Sequence, residues 1–211
     1  MQIEALQTVV DKIKNNQQLQ INQPQDPNFI IQPLIQKKLL PDKPPGEKEL
    51  TLVLDLDETL IHYKSEKNEF YVRPHLDYFL GKVKDCYELV VFTASIKEYA
   101  DQIIDKIDSQ RVIKHRLYRQ HTKFQNNIYY KDLSLINRDL KKTIIVDNSI
   151  ENFSLQPQNG IYIKSWFDDP NDLALRQMGN ILEIIARGFL MDVRPFLQAL
   201  SVGYNLKVEL K

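Results

Sequence analysis

Four runs in this chain are apolar almost from end to end: "LTLVLDL" (50–56), "YELVVFT" (87–93), "KTIIVDN" (142–148) and "GIYIKS" (160–165). They are rich in β-branched residues and lack the polar alternation of a sheet with one wet face, so both faces of each strand must be covered. A mostly parallel sheet answers that pattern, and its strands need crossover connections. The intervening segments supply them. "PHLDYFLGKVK" (74–84) reads as a helix opened by Pro74, and "SIKEYADQIIDKI" (95–107) as one capped by Ser95. "DDPNDLALRQMGNILEIIARGFL" begins with acidic caps and a proline in the first turn, which predicts a helix over 171–187, and "DVRPFLQAL" predicts a last short one. The first two strands flank a helix, so right-handed βαβ packing follows. The expected fold class is α/β, a central mostly parallel sheet flanked by helices, over 49–211, without internal repeats.

A buried strand gains nothing by ending in carboxylates, yet the first run ends in Asp55-Leu56-Asp57-Glu58-Thr59, the second in Thr93 and the third in Asp147-Asn148. In an open α/β sheet, ligands sit beyond the carboxyl ends of the strands. Residues almost a hundred positions apart therefore converge on one edge, and Lys131, in "YYKDLS", can reach it from a loop. The residue types suit phosphoryl transfer. Of Asp55 and Asp57, one carboxylate must stay ionised to attack phosphorus while the other alternates between acid and base. A hard divalent ion with oxygen ligands, Mg²⁺, stabilises the ionised partner, with Asp147 and Asn148 completing its shell. Lys131 neutralises charge on the transferred group, and the Thr93 hydroxyl donates to it.

Composition narrows the class. The 211 residues allow one good core plus a tail, and 28 basic against 28 acidic residues make no overall case for nucleic acid. The single Cys86 excludes an internal disulfide framework and reads as a half-buried thiol. No apolar run approaches the roughly 18 residues of a membrane span, and "MQIEALQTVVDKIKNN" lacks the pattern of a secretory signal. The expectation is a soluble intracellular protein. Residues 1–48 are rich in Gln, Asn and Pro and read as an arm. Ile3, Leu6, Val9, Val10 and Ile13 recur at helical spacing there, predicting a short amphipathic helix over 2–14. The arm either packs on its own domain or docks a regulatory or assembly partner.

"DLDETL" is similar to the D-x-D-x-T signature of the haloacid dehalogenase superfamily of phosphotransferases. Together with "LVLDLDETLIH", "RPHLDYFL", "VVFTAS", "KDLS", "VDNS" and "IKSWFDDPND", it resembles the phosphatases of the RNA polymerase II C-terminal domain and their small relatives, the dullard branch above all. The resemblance runs from about 50 to 200 with every motif in order. It implies a Rossmann-like haloacid dehalogenase fold and a Mg²⁺-dependent phosphoprotein phosphatase acting on phosphoserine or phosphothreonine. It implies Asp55 as nucleophile, Asp57 as general acid and base, and Thr59 as orienter of the loop. Thr93 and Lys131 would hold the phosphate, and Asp55, the Asp57 carbonyl, Asp147 and Asn148 would hold Mg²⁺. Two positions depart from the family: Ile150 stands where Pro follows "DNS", and Asn126-Asn127 replaces an Arg-Gly pair. A fold-retaining, non-catalytic binding subunit, similar to the mitochondrial presequence-translocase receptor subunit, is the alternative. The chain would be nuclear or cytoplasmic in the first case and mitochondrial in the second.

No large cap domain is expected. After Leu60, "IHYKSEKNEFYVRPH" leaves room for a short hairpin, and 37 residues separate Thr93 from Lys131. An uncovered site fits a phosphorylated protein segment. Arg111, Lys114, His115, Arg116, Arg119, His121 and Lys123 form a basic run, read as a solvated strand face or as steering for an acidic phosphopeptide. His62 and His75 read as loop and helix-start residues, Arg73 and Pro74 as a strand-to-helix turn, and Trp166 as packing.

Overall fold

The computed structural model describes residues 38–188 and 191–203. The helix expected over 2–14, like the rest of the arm before Lys38, lies outside the described residues. In chain order the elements are β1 (Leu50–Leu54), the hairpin β2 (Ile61–Lys64) and β3 (Glu69–Val72), α1 (Leu76–Val83), β4 (Tyr87–Phe92), α2 (Lys97–Ile107) and β5 (Ile113–Leu117). A second hairpin, β6 (Lys123–Gln125) and β7 (Ile128–Tyr130), precedes β8 (Thr143–Asp147), β9 (Gly160–Tyr162), α3 (Ala174–Arg187) and α4 (Arg194–Gly203). Five strands form a parallel sheet in the order β5-β4-β1-β8-β9.

The unbroken apolar runs follow from cover on both faces. Successive side chains of a strand point to opposite sides. In β1, Leu52 and Leu54 join an apolar cluster with buried residues of all four helices, among them Phe79, Ile104, Leu182 and Leu197. Val53 joins a second cluster, made with Val90, Phe92 and Ile145 from the neighbouring strands. That face is closed by Leu133, Ile136 and Phe153 from short 3₁₀ turns and connections, and by Leu40. Gly160 is required by this packing, because a Cβ there would lie 2.1 Å from the Phe153 ring.

Among the described residues, the segments after β1 and between β5 and β8 carry only the short hairpins β2–β3 and β6–β7 besides 3₁₀ turns and helices already named. No helix among the described residues is long and apolar enough to cross a membrane. Strand ends fall short of the apolar runs by one to three residues, although Asp55, Thr93 and Ile163 still donate backbone N–H groups to Val146, Leu117 and Asp147 of neighbouring strands. Helix starts shift too. α1 begins after His75, whose φ of 67° cannot continue a helix backward to Pro74. α3 begins at Ala174, whose N–H donates to Asp172 Oδ1 at 3.0 Å. α2 begins at Lys97, and Ser95 does not cap it: the N-cap is Ile96 and makes no side-chain bond.

Residues 38–48, grouped with the arm by composition, lie against the sheet domain. Leu39 N–H donates to the Leu135 carbonyl at 2.9 Å, Leu40 is buried, and the Pro41 carbonyl accepts from Arg138 Nη1 at 2.8 Å. The anchor is Glu88, a buried charge in the apolar β4. Its carboxylate takes Arg138 Nε and Nη2 at 2.6 and 2.7 Å, Lys43 at 3.2 Å and His115 Nε2 at 3.1 Å. The basic run is thus less solvated than its composition suggests: Arg116 also pairs with Asp101 and Asp105, and Lys114 with Glu47.

Burial alone would raise the Glu88 pKa, but Arg138 and Lys43 outweigh it and hold the carboxyl at about 2. The folded value lies below the ordinary 4.5, so this stability is fully present above pH 4.5 and is lost as pH falls through about 2. The amount is about 3 kcal/mol. Urea unfolding across this window should show the gap between wild type and Glu88→Gln closing by that amount as pH falls. A gap independent of pH would refute the assignment.

Candidate active site

The loop leaving β1 is wound around one carbonyl. Leu56 O accepts the N–H groups of Leu60 and Ile61 at 2.9 and 3.2 Å, and Glu58 turns the chain in the left-handed region with φ 57°. That winding returns Thr59 Oγ1 to within 2.9 Å of Asp55 Oδ2. Arg73 holds the loop from behind. Its buried guanidinium donates Nη1 to Thr59 O at 3.1 Å and grips both Asp172 oxygens at 2.9 Å. The Trp166 backbone N–H donates to Glu58 O at 2.9 Å, while its indole N–H donates to Asp169 O at 2.8 Å. Arg73 therefore does more than set a turn: its side chain fixes the acidic loop, to which Trp166, itself buried, adds only a backbone bond. His62 belongs to the same support, with Nδ1 3.2 Å from Glu58 Oε1 and its ring edge on Phe167.

Two clusters meet at this edge. In the first, Lys131 is fully buried, and its Nζ donates to Asp55 Oδ1 at 2.5 Å and Asp147 Oδ2 at 2.6 Å. Its backbone N–H is fixed on Asn152 O at 2.6 Å, which seats the residue after β7 against the end of β8. Burial alone would lower the ammonium pKa; Asp147 and Asp55 overcome it and keep the value raised. Asp147 is pushed up to about 6 by burial and by repulsion from Asp55, against the pull of Lys131. One ammonium thus serves two buried carboxylates. Asn148 completes the group: Nδ2 donates to Ser165 Oγ at 3.0 Å, leaving Oδ1 on the side of Thr59 at 3.4 Å.

In the second cluster, the Asp57 carboxylate turns to hydroxyls. It accepts from Tyr99 Oη at 2.6 Å on Oδ1, and from Ser95 Oγ at 2.7 Å and Thr93 Oγ1 at 3.4 Å on Oδ2. Burial raises its pKa, and these donors oppose the rise. Asp55 and Asp57, two positions apart, therefore stand in different surroundings, one facing an ammonium and the other neutral hydroxyls. Such a difference is what separate nucleophile and proton-donor roles need.

The structure thus brings Asp55, Thr59, Lys131, Asp147 and Asn148 into one group, with Asp57 and Thr93 in the adjoining one. Ser95, Tyr99, Ser165 and the bracing role of Arg73 were missed by sequence reasoning. A signal for the first two was present: Ser95 precedes a helix and Tyr99 lies four residues on, a spacing that shares a face. The donor set here is oxygen throughout, the chemistry preferred by small hard divalent cations. No group of three or more His, Cys, Asp or Glu side chains suited to a metal occurs among the described residues, so a cation here would rely on amide and backbone oxygen as well.

Comparison with known proteins agrees with this architecture. The structure resembles that of Fcp1, described as an essential RNA polymerase II CTD phosphatase, with a TM-score of 0.56, covering 67% of this chain and 63% of that one. At 16% identity the likeness concerns the fold. In sequence, the chain is 40% identical over 185 residues to CTD small phosphatase-like protein 2 of Dictyostelium discoideum, covering 79% of this chain and 32% of the relative. It is equally 40% identical over 176 residues to mitochondrial import inner membrane translocase subunit tim50 of Aspergillus fumigatus, covering 82% and 35%. The chain thus spans about a third of the length of these relatives. It is also 40% identical over 177 residues to CTD nuclear envelope phosphatase 1 of Xenopus tropicalis, covering 71% of this chain and 72% of that protein. The family model for NLI interacting factor-like phosphatases matches residues 50–194, from the first residue of β1 to the first of α4. By this match and by the ordered motifs that build the site, the chain belongs to the NLI interacting factor-like phosphatase family.

Proposed function

We propose that the chain is a divalent-metal-dependent protein phosphatase acting on phosphoserine or phosphothreonine in extended protein segments. The observation that carries this reading is the pairing of Asp55, held by Lys131, with Asp57, held by hydroxyls. An Asp55 oxygen attacks phosphorus, forming a bond to it as the bond to the substrate oxygen breaks, and Asp57 gives its proton to the departing oxygen. Water then attacks the phosphorus of the aspartyl-phosphate while Asp57 takes its proton, releasing phosphate and restoring Asp55. Lys131 and Thr93 offset charge on the phosphoryl oxygens. Asp55, Asp147, Asn148 Oδ1 and the Asp57 carbonyl would hold Mg²⁺, which supplies Lewis-acid stabilisation of the same charge.

The similarity to a translocase subunit supports a second reading, a binding subunit without catalysis. Energetics favour the first. Replacing a buried ion group by apolar residues is often neutral or stabilising, so a scaffold has no need of Asp55, Lys131 and Asp147 together. The test is turnover of an aryl phosphate and a phosphoserine peptide by the purified chain, with Mg²⁺ and with chelator. Metal-dependent release of phosphate is expected from both. A folded chain inert in every condition would shift the assignment to the binding subunit.

A further inference from the structure

Arg119 stands at the rim of the centre with no part in the chemistry above. Its backbone N–H donates to Ser95 O at 3.0 Å, and its Nε donates to Ala94 O at 2.6 Å. Ala94 lies between Thr93 and Ser95, both of which donate to Asp57. The guanidinium is therefore tied within a residue's span, about 3.8 Å from Cα to Cα, of two groups of the centre. Its carbon also sits 5.2 Å from the centre of the Tyr129 ring, and Tyr129 stacks on Phe124 at 4.6 Å. These rings belong to the β6–β7 hairpin, whose strand β7 runs directly into Lys131.

Arg119 is thus held by one nitrogen and one ring, while Nη1 and Nη2 meet no acceptor among the described residues and the side chain is exposed. Phe124, on the Tyr129 ring, is 58% exposed. An exposed arginine ordinarily sacrifices rotamer freedom when it binds an anion. Here much of that freedom is already gone, and the planar fork is presented outward, a geometry matched to a carboxylate or phosphate. The tip of this hairpin is Asn126-Asn127, both in the left-handed region at φ 52° and 61°.

We propose that Arg119, backed by Tyr129 and Phe124, forms a subsite for an anionic group, a carboxylate or a second phosphate, flanking the phosphorylated residue of a peptide substrate. The subsite deepens the phosphatase reading and rests on it, since it takes the phosphorylated residue to sit at Asp55.

The test uses the full chain carrying Asp55→Asn, which removes the attacking carboxylate together with a charge that repels phosphate. Anisotropy of labelled phosphoserine peptides reports binding without turnover. A glutamate is walked from three residues before to three after the phosphoserine, with glutamine as the neutral partner, and a second series places phosphoserine at the same positions. At one position or more, glutamate is expected to bind roughly three- to ten-fold more tightly than glutamine, the range of a preorganised charge-assisted contact near the surface. The second-phosphate series shows whether the greater charge is preferred. In Arg119→Gln on the same background the ratio should fall to about one, and Tyr129→Leu should reduce it while the charge remains. The ratio is taken within each protein, so loss of folded material cancels. A flat panel, or a preference that survives Arg119→Gln, overturns the subsite. Turnover of an aryl phosphate by the unaltered chain, a substrate with no flanking segment, judges the phosphatase reading separately.

Discussion

Asn in place of Asp55 is expected to lower Mg²⁺-dependent turnover at least about 10⁴-fold, the order seen when a nucleophile is removed from a catalytic group. The amide oxygen is a poor nucleophile, yet the side chain keeps its shape. Lys131 can still donate to Oδ1, while the Thr59 hydroxyl, now a donor to Asp55 Oδ2 at 2.9 Å, can turn to accept from the new NH₂. The fold is therefore retained, and the loss reports on chemistry. Borohydride quenching during turnover of the unaltered chain should convert residue 55 to homoserine, the product of reducing an aspartyl-phosphate. Near-normal activity in Asp55→Asn, or no label at residue 55, would remove Asp55 from the nucleophile's place.

Lys131→Met should damage stability as severely as activity. The ammonium is fully buried between Asp55 and Asp147, and losing it leaves two carboxylates without their counter-charge. Removing one partner from a buried ion group costs about 3–5 kcal/mol, or a fall in Tm on the order of 10 °C for a domain of this size. The sign of its pH dependence is fixed. Asp147 already has a raised pKa, about 6 against an ordinary 3.8, so its ionised form opposes folding, and without Lys131 its pKa rises further. The deficit should therefore be larger at pH 8 than at pH 5, where the Asp147 carboxyl takes up its proton. Mg²⁺ should restore part of it at pH 8, and chelator should remove that gain. Thermal melts of both proteins at the two pH values decide it. An equal deficit at both would mean that lost packing of the lysine stem dominates.

The sheet was legible because its strands carry apolar side chains on both faces, a pattern no half-wet sheet produces. The convergence of Asp55, Asp147 and Asn148 followed from strand polarity alone, as carboxyl ends of neighbouring parallel strands share an edge. Lys131 was placed only as a loop residue able to reach that edge, and the role of Thr59 needed the resemblance, since neither lies on a strand of the sheet. Ser95 was misread for a physical reason. A hydroxyl before a helix is the usual signature of a cap, but the half-buried Asp57 carboxylate is a competing partner that local sequence does not display. Glu88 was equally opaque: its partners Lys43, His115 and Arg138 lie 45, 27 and 50 positions away. Charge networks between distant segments leave no local period, whereas strands and helices do.

The strand order decides when the centre can assemble in a growing chain. β1 lies between β4 and β8, and β8 leaves the ribosome about ninety residues after β1. At roughly 5–20 residues per second, that delay is about 5–20 s. During it β1 can pair with β4, but its other flank stays open, and Asp55 lacks Asp147 and the Asn152 carbonyl that anchors the Lys131 backbone. A nascent or truncated product ending before Thr143 would hold the acid pair yet have no assembled centre. The centre would be complete only when the fourth strand of the sheet to be synthesised closes against the first.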